Sequence, residues 1–386
     1  MIFKSFDIVP HGTKFDFVGK RHIAVVLSLI VNLTVIGWSI KGLNFGVDFA
    51  GGTEMEVKFS QAVEPGAIRH GVEALGFKDA SVQTYGPESE NTFLIRVGRV
   101  ALMSPEDFRK VVDSVRAAFP VKGQPAFNAD SGDKVDFQFD SPVDPAALRG
   151  VVEGAGVRVR EVREEQGLAA GTRSYAVITQ GIREKVESDL GARFAQAKPE
   201  VRRVEYVGPA VGRELRNQGF KAVLYAMALI VIYVGLRFDF RFSPGVIIAI
   251  IHDTIITFGY FAFSGREFNL TSIAVILTVV GYSVNDTVVV YDRIRENGAK
   301  LKGRALADIV NLSINETLGR TFLTSFATAL SLIGLLVFGV GTIFDFAFAM
   351  LVGIVSGTYS TWFIAAPMTV WLEERAARKA GAKVTA

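Results

Sequence analysis

Six apolar runs, most of them close to the length that crosses a bilayer, dominate this chain and decide what it can fold into. They cover residues 23–40, 222–236, 244–263, 270–291, 321–338 and 344–371. A helix rises 1.5 Å per residue, so about 20 apolar residues cross the roughly 30 Å hydrocarbon layer of a bilayer. Only a helix satisfies all its own backbone polar groups there without a closed barrel. The runs therefore predict six transmembrane helices. The second run is short as written and is expected to extend back to about Gln218, while the sixth is long enough to tilt. The first exceeds a signal-peptide core, and residues 41–48 offer no small-residue cleavage site, so it reads as an uncleaved anchor.

Charge between the runs sets the orientation by the positive-inside rule. Lys14, Lys20 and Arg21 precede the first run; Arg237 and Arg241 separate the second and third. Arg293, Arg295, Lys300, Lys302 and Arg304 separate the fourth and fifth, and Arg375, Arg378, Lys379 and Lys383 follow the sixth. The opposite side carries Arg266 in one short loop. Both termini are expected in the cytoplasm, with residues 41–220 outside, in the periplasm. A net charge of +3, spread over the span ends, gives no patch for nucleic acid. With no cysteine and four scattered histidines, neither a disulfide framework nor a metal cluster is readable.

The outer segment contains a repeat at an offset of eighty residues. The alternating strand pattern Met55–Phe59 leads to Val63-Glu64-Pro65, and Val135–Phe139 leads to Val143-Asp144-Pro145. Each copy continues as a helix, two strands and a second helix, with residues 201–207 as a last strand. Two ferredoxin-like α+β units are expected. The expected division is 1–22 cytoplasmic segment, 23–41 first span, 42–133 first outer unit, 134–217 second outer unit, 218–371 spans two to six, and 372–386 cytoplasmic tail. The polar stretch 128–134 is the expected junction.

Ionisable groups inside a membrane are costly and normally have a partner or a task. The candidates are His252 and Asp253 in the third run, Asp286 in the fourth with Asn285 beside it, and Arg320 opening the fifth. Asp292 and Arg293 read as interfacial anchors, and Asp345 as a carboxylate at a helix start. Asp286 and Arg320 are expected at one depth, where movement of the arginine would switch the carboxylate between taking up and releasing a proton. A static salt bridge is the alternative. For His252 and Asp253, a proton stop and a polar seam stand level. Small residues in the fifth and sixth runs, among them Ser325, Ser356, Gly357 and Ser360, read as a close-packing surface.

Two segments carry a resemblance. Gly46-Val47-Asp48-Phe49-Ala50-Gly51-Gly52 is similar to the GxDFxGG element of the SecD/SecF protein-export family, within the RND superfamily. Residues 281–297, GYSVNDTVVVYDRIREN, resemble the fourth-span signature of its SecF branch. Gly46, Asp48, Phe49, Gly51 and Gly52 are the motif positions. The resemblance implies half of an RND-type bundle that pairs with SecD. It also implies use of the proton-motive force to promote export through the SecYEG channel after the SecA motor, with YidC and YajC as further candidate partners. Asp286 and Arg320 fall on the family's proton path. No cofactor is implied. An RND-type small-molecule or lipid exporter half and a passive translocon scaffold are the rival readings. An intramembrane aspartyl protease is disfavoured, since no GxGD-like run is present.

Overall fold

The computed structural model describes residues 12–40, 42–77, 80–98, 103, 105–127, 134–166, 173–238 and 243–380. The expected junction at 128–133, Arg241 and Lys383 lie outside them. The chain opens with α1 (Arg21–Ser39) and the short α2 (Val47–Ala50), then β1 (Gly52–Lys58), α3 (Pro65–Ala74), β2 (Ser81–Thr84) and β3 (Thr92–Val97). Next come α4 (Pro105–Ala118), β4 (Val121–Phe127), β5 (Lys134–Phe139), α5 (Pro145–Gly154), β6 (Val159–Gln166) and β7 (Arg173–Thr179). The sheet-bearing part closes with α6 (Ile182–Arg193) and β8 (Glu200–Val207). The remaining helices are α7 (Pro209–Arg237), α8 (Ser243–Ser264), α9 (Leu270–Lys300), α10 (Leu306–Phe338), α11 (Thr342–Ser360) and α12 (Ala366–Ala380). A π-turn, Thr361–Ala365, joins the last two. Two compact units result: residues 46–216, and residues 1–45 with 217–386.

Among the described residues, six stretches are long and apolar enough to cross a membrane, the sixth being α11, the π-turn and α12 together. The protein is a multi-pass membrane protein. Its helices outrun the apolar runs that announce them. α7 begins at Pro209 rather than near 218, and α10 begins at Leu306 rather than 321. Proline suits the first turn of a helix because its missing N–H would have no partner there. At α9 the start is a capping box: Asn269 accepts from the Ser272 amide at 3.1 Å, and Ser272 Oγ accepts from the Asn269 amide at 3.1 Å.

In the other unit, strands alternate as the sequence implies, and Met55, Val57, Phe59, Val135, Phe137 and Phe139 are all fully buried. Prolines Pro65 and Pro145 start the equivalent helices α3 and α5. The sheets run β8-β1-β3-β2 and β4-β5-β7-β6, antiparallel throughout. Both have the strand order of a ferredoxin-like fold. Their membership does not follow the sequence division at 133/134. Ile182, Val186 and Leu190 of α6 and Val201 of β8 pack into the core of β1–β3. Val111 and Val115 of α4 join the core of β5–β7. The last helix and strand are therefore exchanged between the two copies. One fold is continuous, α4 through β7, and sits as an insert within the other, which is split between β1–β3 and α6–β8. The cause is local: β4 and β5 are neighbours in sequence and pair as a hairpin, which draws α4 onto the sheet of β5.

Candidate functional site

The polar interior of the helical unit lies where α8, α9 and α11 meet. Close approach is possible because glycines face the contact. A Cβ on Gly357 would meet Ser283 Cβ at 3.0 Å and its Cα at 3.3 Å, and one on Gly353 would strike Val279. Asp253 of α8 is completely buried at this crossing. Ser283 Oγ of α9 donates to its Oδ2 at 2.6 Å, and Ser360 Oγ of α11 donates to the same oxygen at 2.7 Å. Oδ1 accepts from Ser356 Oγ at 2.6 Å and lies 3.0 Å from His252 Nδ1. Ser356 and Ser360 are one helical turn apart, so one face of α11 supplies both. Four polar partners surround two oxygens, the complement of a carboxylate that only accepts.

Asp286 is buried three residues beyond Ser283 on α9, and its environment is sparse. Among the described residues its one hydrogen-bond partner is Ser325 Oγ of α10, at 3.4 Å from Oδ2, and that hydroxyl also lies 2.8 Å from Thr358 Oγ1. The next residue, Thr287, bonds Thr361 Oγ1 at 2.8 Å, where the π-turn begins. One turn on, Tyr291 donates to the Ala365 carbonyl at 3.0 Å, where the turn ends. Thus α9 grips both ends of the π-turn. Such widened turns are rare and are found mostly at functional sites.

Arg320 does not stand beside Asp286. It is exposed, and among the described residues it makes no ion pair with that carboxylate. The reason is rotation: Arg320 and Ser325 are five residues apart on α10, about 140° around the helix, so the face that meets Asp286 is not the face of Arg320. Asn285 is likewise exposed on α9. With Thr278 and Gly281 on α9, and Thr324 and Ser331 on α10, these two residues form exposed small and polar strips along the two helices. His252 is buried beside Asp253, and its ring reaches a groove of about 500 Å³ bounded by Ser28, Val355 and Tyr359.

The remaining charges sit at the span ends. Asp292 lies 3.6 Å from both Arg237 and Arg295, and Arg293 pairs with Glu316 at 2.6 Å. Asp345 accepts from Tyr260 at 3.0 Å and lies 3.5 Å from Arg266, so it ties α8 and its loop to α11 rather than capping the helix. Ser283 was the one partner of Asp253 with no sequence signal of its own. The i, i+4 pair Ser356/Ser360 on an apolar helix was the signal available for the others.

The GxDFxGG element forms a joint in the sheet-bearing unit. Val47 and Phe49 are buried, Gly46 stands at the N-cap of the short α2, and Asp48 lies in its first turn. Gly51 and Gly52 have φ of +77° and +126°. A Cβ on Gly52 would meet the Val97 carbonyl oxygen at 2.5 Å, and one on Gly51 the Cα of Pro209 at 2.8 Å. Both conformation and space demand glycine.

Comparison with known proteins gives consistent matches. Residues 187–375 match the model of the protein export membrane protein SecD/SecF C-terminal family, and residues 36–63 match the SecD/SecF GG motif. The chain is 37% identical to the protein translocase subunit SecF of Koribacter versatilis, over 94% of this chain and 93% of that one. It is 35% identical to that of Magnetococcus marinus, over 96% of each. The crystal structure of SecDF from Thermus thermophilus superposes with a TM-score of 0.66 at 30% identity, covering 94% of this chain. A second SecDF crystal structure, in a super-membrane-facing form, gives 0.57 over 96%. The chain spans about 40% of the length of those SecDF chains.

Proposed function

Because the chain belongs to the SecD/SecF protein-export family, among the translocase subunits called SecF, we propose that it is the six-span half of a machine that uses the proton-motive force to promote protein export. SecD is its partner and the Sec translocon, SecYEG with SecA, its place of work. Support for the pairing comes from the solved relatives, which are SecDF chains, and from the exposed strips on α9 and α10. Arg320, Asn285 and the threonines there would be costly against lipid, and a second set of spans would cover them. The basic residues at the span ends favour both termini in the cytoplasm of an inner-membrane protein and the paired sheets in the periplasm.

One observation carries the energetic part of this reading: the contrast between two buried carboxylates. Asp253 is held by four partners and serves as a fixed polar seam with His252. Among the described residues Asp286 has one partner, at 3.4 Å, and so keeps room for a proton or an incoming donor. Asp286 is the exchanging group, and Arg320 on the adjacent exposed face reaches it when α10 turns or the SecD half closes.

The test is Asp286→Asn in the complex with SecD, reconstituted in vesicles that carry the translocon. The variant should assemble normally, yet lose gradient-stimulated export and proton flux, while Asp286→Glu keeps part of both. Full gradient-stimulated export by the asparagine variant would refute the reading and favour a passive scaffold.

A further inference from the structure

The segment just ahead of the first span is bound, by its backbone, to the opening half of α10. Asn315 engages Phe15 in both directions: its Oδ1 accepts from the Phe15 amide at 2.9 Å and its Nδ2 donates to the Phe15 carbonyl at 2.8 Å. One turn earlier, Asn311 Oδ1 accepts from the amides of Phe17 and Val18 at 2.9 and 3.0 Å, while its Nδ2 donates to Asp16 Oδ1 at 2.8 Å. The same Asp16 oxygen accepts from the Gly19 amide at 2.8 Å, closing the turn into α1. A chain terminus is ordinarily hydrated and loosely held. Here two asparagines spaced i, i+4 are committed to it.

This attachment delivers a ring to a particular place. Phe17 is buried, with its centroid 5.2 Å from Phe363 and 6.1 Å from Trp362. Both belong to the π-turn. Phe363 in turn stacks on Tyr359 at 5.2 Å. On its inner side the same turn is held by Thr287, the residue after Asp286. A widened turn carries an extra residue that a helix could accommodate elsewhere, so something must select its position. The inner hydroxyl pair holds one side, and Phe17 packs the other.

We propose that residues 15–18 act as a strap whose Phe17 ring positions the π-turn and, through Thr361 and Thr287, the turn of α9 that presents Asp286. Phe17 is a positioning residue, remote from the proton itself, and the proposal rests on the reading of Asp286 given above.

The test uses the full chain reconstituted with SecD and the translocon. Phe17→Ala should lower the ratio of energised to de-energised export several-fold while leaving de-energised export and assembly unchanged. Phe17→Tyr should restore the ratio, and Asn311→Ala should lower it. Amide exchange should rise at residues 361–365 in Phe17→Ala, a change that loss of proton exchange in Asp286→Asn would not produce. A wild-type ratio in Phe17→Ala, or unchanged exchange at the turn, overturns the strap. If the alanine variant fails to accumulate, Phe17→Leu, which fills the space without the ring, is held to the same two criteria. Full export by Asp286→Asn would instead defeat the proton reading, and the exchange measurement would still decide whether the strap holds the turn.

Discussion

Removing the Asp253 carboxylate should destabilise the helical unit far more than removing any one of its partners. Interhelical polar contacts in membranes are worth about 0.6 kcal/mol on average and at most about 1.7. Those to Asp253 are short, at 2.6, 2.6 and 2.7 Å, and end on a carboxylate, which places each near the upper end of that range. Ser283→Ala, Ser356→Ala and Ser360→Ala should each cost about 1–1.5 kcal/mol. Asp253→Ala strips the acceptor from all three and from His252 at once. The loss is smaller than the sum, because hydroxyls fall back on their own helices, as Ser360 already does toward the Gly357 carbonyl at 3.1 Å. About 3–4 kcal/mol is expected. Asp253→Asn should lie between, at about 2 kcal/mol, because the new amide turns a donor toward hydroxyls that must rotate to accept it. Reversible unfolding of the purified chain in mixed micelles, titrated with a denaturing detergent, measures the shift. A loss below about 1 kcal/mol in Asp253→Ala would refute the seam and leave Asp253 free for a proton.

Other consequences are open to direct measurement. Gly357→Ala should push α11 from α9 and loosen the serine contacts to Asp253, so it should unfold earlier in the same titration; Gly334→Ala, with open space at its Cβ, should not. Arg320→Met should leave stability unchanged in the isolated chain but weaken export, with Arg320→Lys intermediate because it keeps charge and loses the planar fork; equal export by all three would make Arg320 a mere anchor. A protease site placed between Phe127 and Lys134 of the isolated 46–216 segment should, once cut, leave fragments that elute together, because β4 pairs with β5 and β1 with β8 across the break. Separation of the fragments without denaturant would contradict the exchanged architecture.

The spans were readable because a bilayer demands long apolar runs, and nothing else in a chain of this kind looks like residues 270–291. Their true ends were not, since α9 runs on to Lys300 through residues that leave the apolar zone. The duplication was also readable: the alternation at Met55/Val57/Phe59 returns at Val135/Phe137/Phe139, and all six are buried. Which helix covers which sheet was hidden, because Val111 and Val115 make an apolar stripe that would suit either. What decides it is the β4–β5 hairpin, which joins the end of one repeat to the start of the next, and the apolar stripe of α4 carries no trace of that pairing. At the candidate site, the costly charges His252, Asp253 and Asp286 mark two of the three helices that meet there, α8 and α9. Asp286 and Arg320 make no contact among the described residues because the rotation of α10 puts Arg320 on an exposed face, which charge alone does not reveal. The serine contacts to Asp253 were not legible because serine on a membrane helix reads first as a small residue and only second as a donor.

The insertion of one fold inside another sets a timetable for biogenesis. β1 leaves the ribosome early, yet the strand that covers its open edge, β8, follows after about 140 residues, or roughly 7–28 seconds of synthesis. Meanwhile the inner fold, contiguous from α4 to β7, can be finished by itself. The enclosing fold must wait half-built, with the backbone groups of Gly52–Lys58 unsatisfied on one side and the apolar row Met55, Val57 and Phe59 covered by Ile68 and Val72 of α3 without α6. An exposed strand edge of that kind invites pairing with any extended chain nearby. The nascent protein is thus most vulnerable to a stray partner, and most in need of a chaperone, in the interval just before its second span is made.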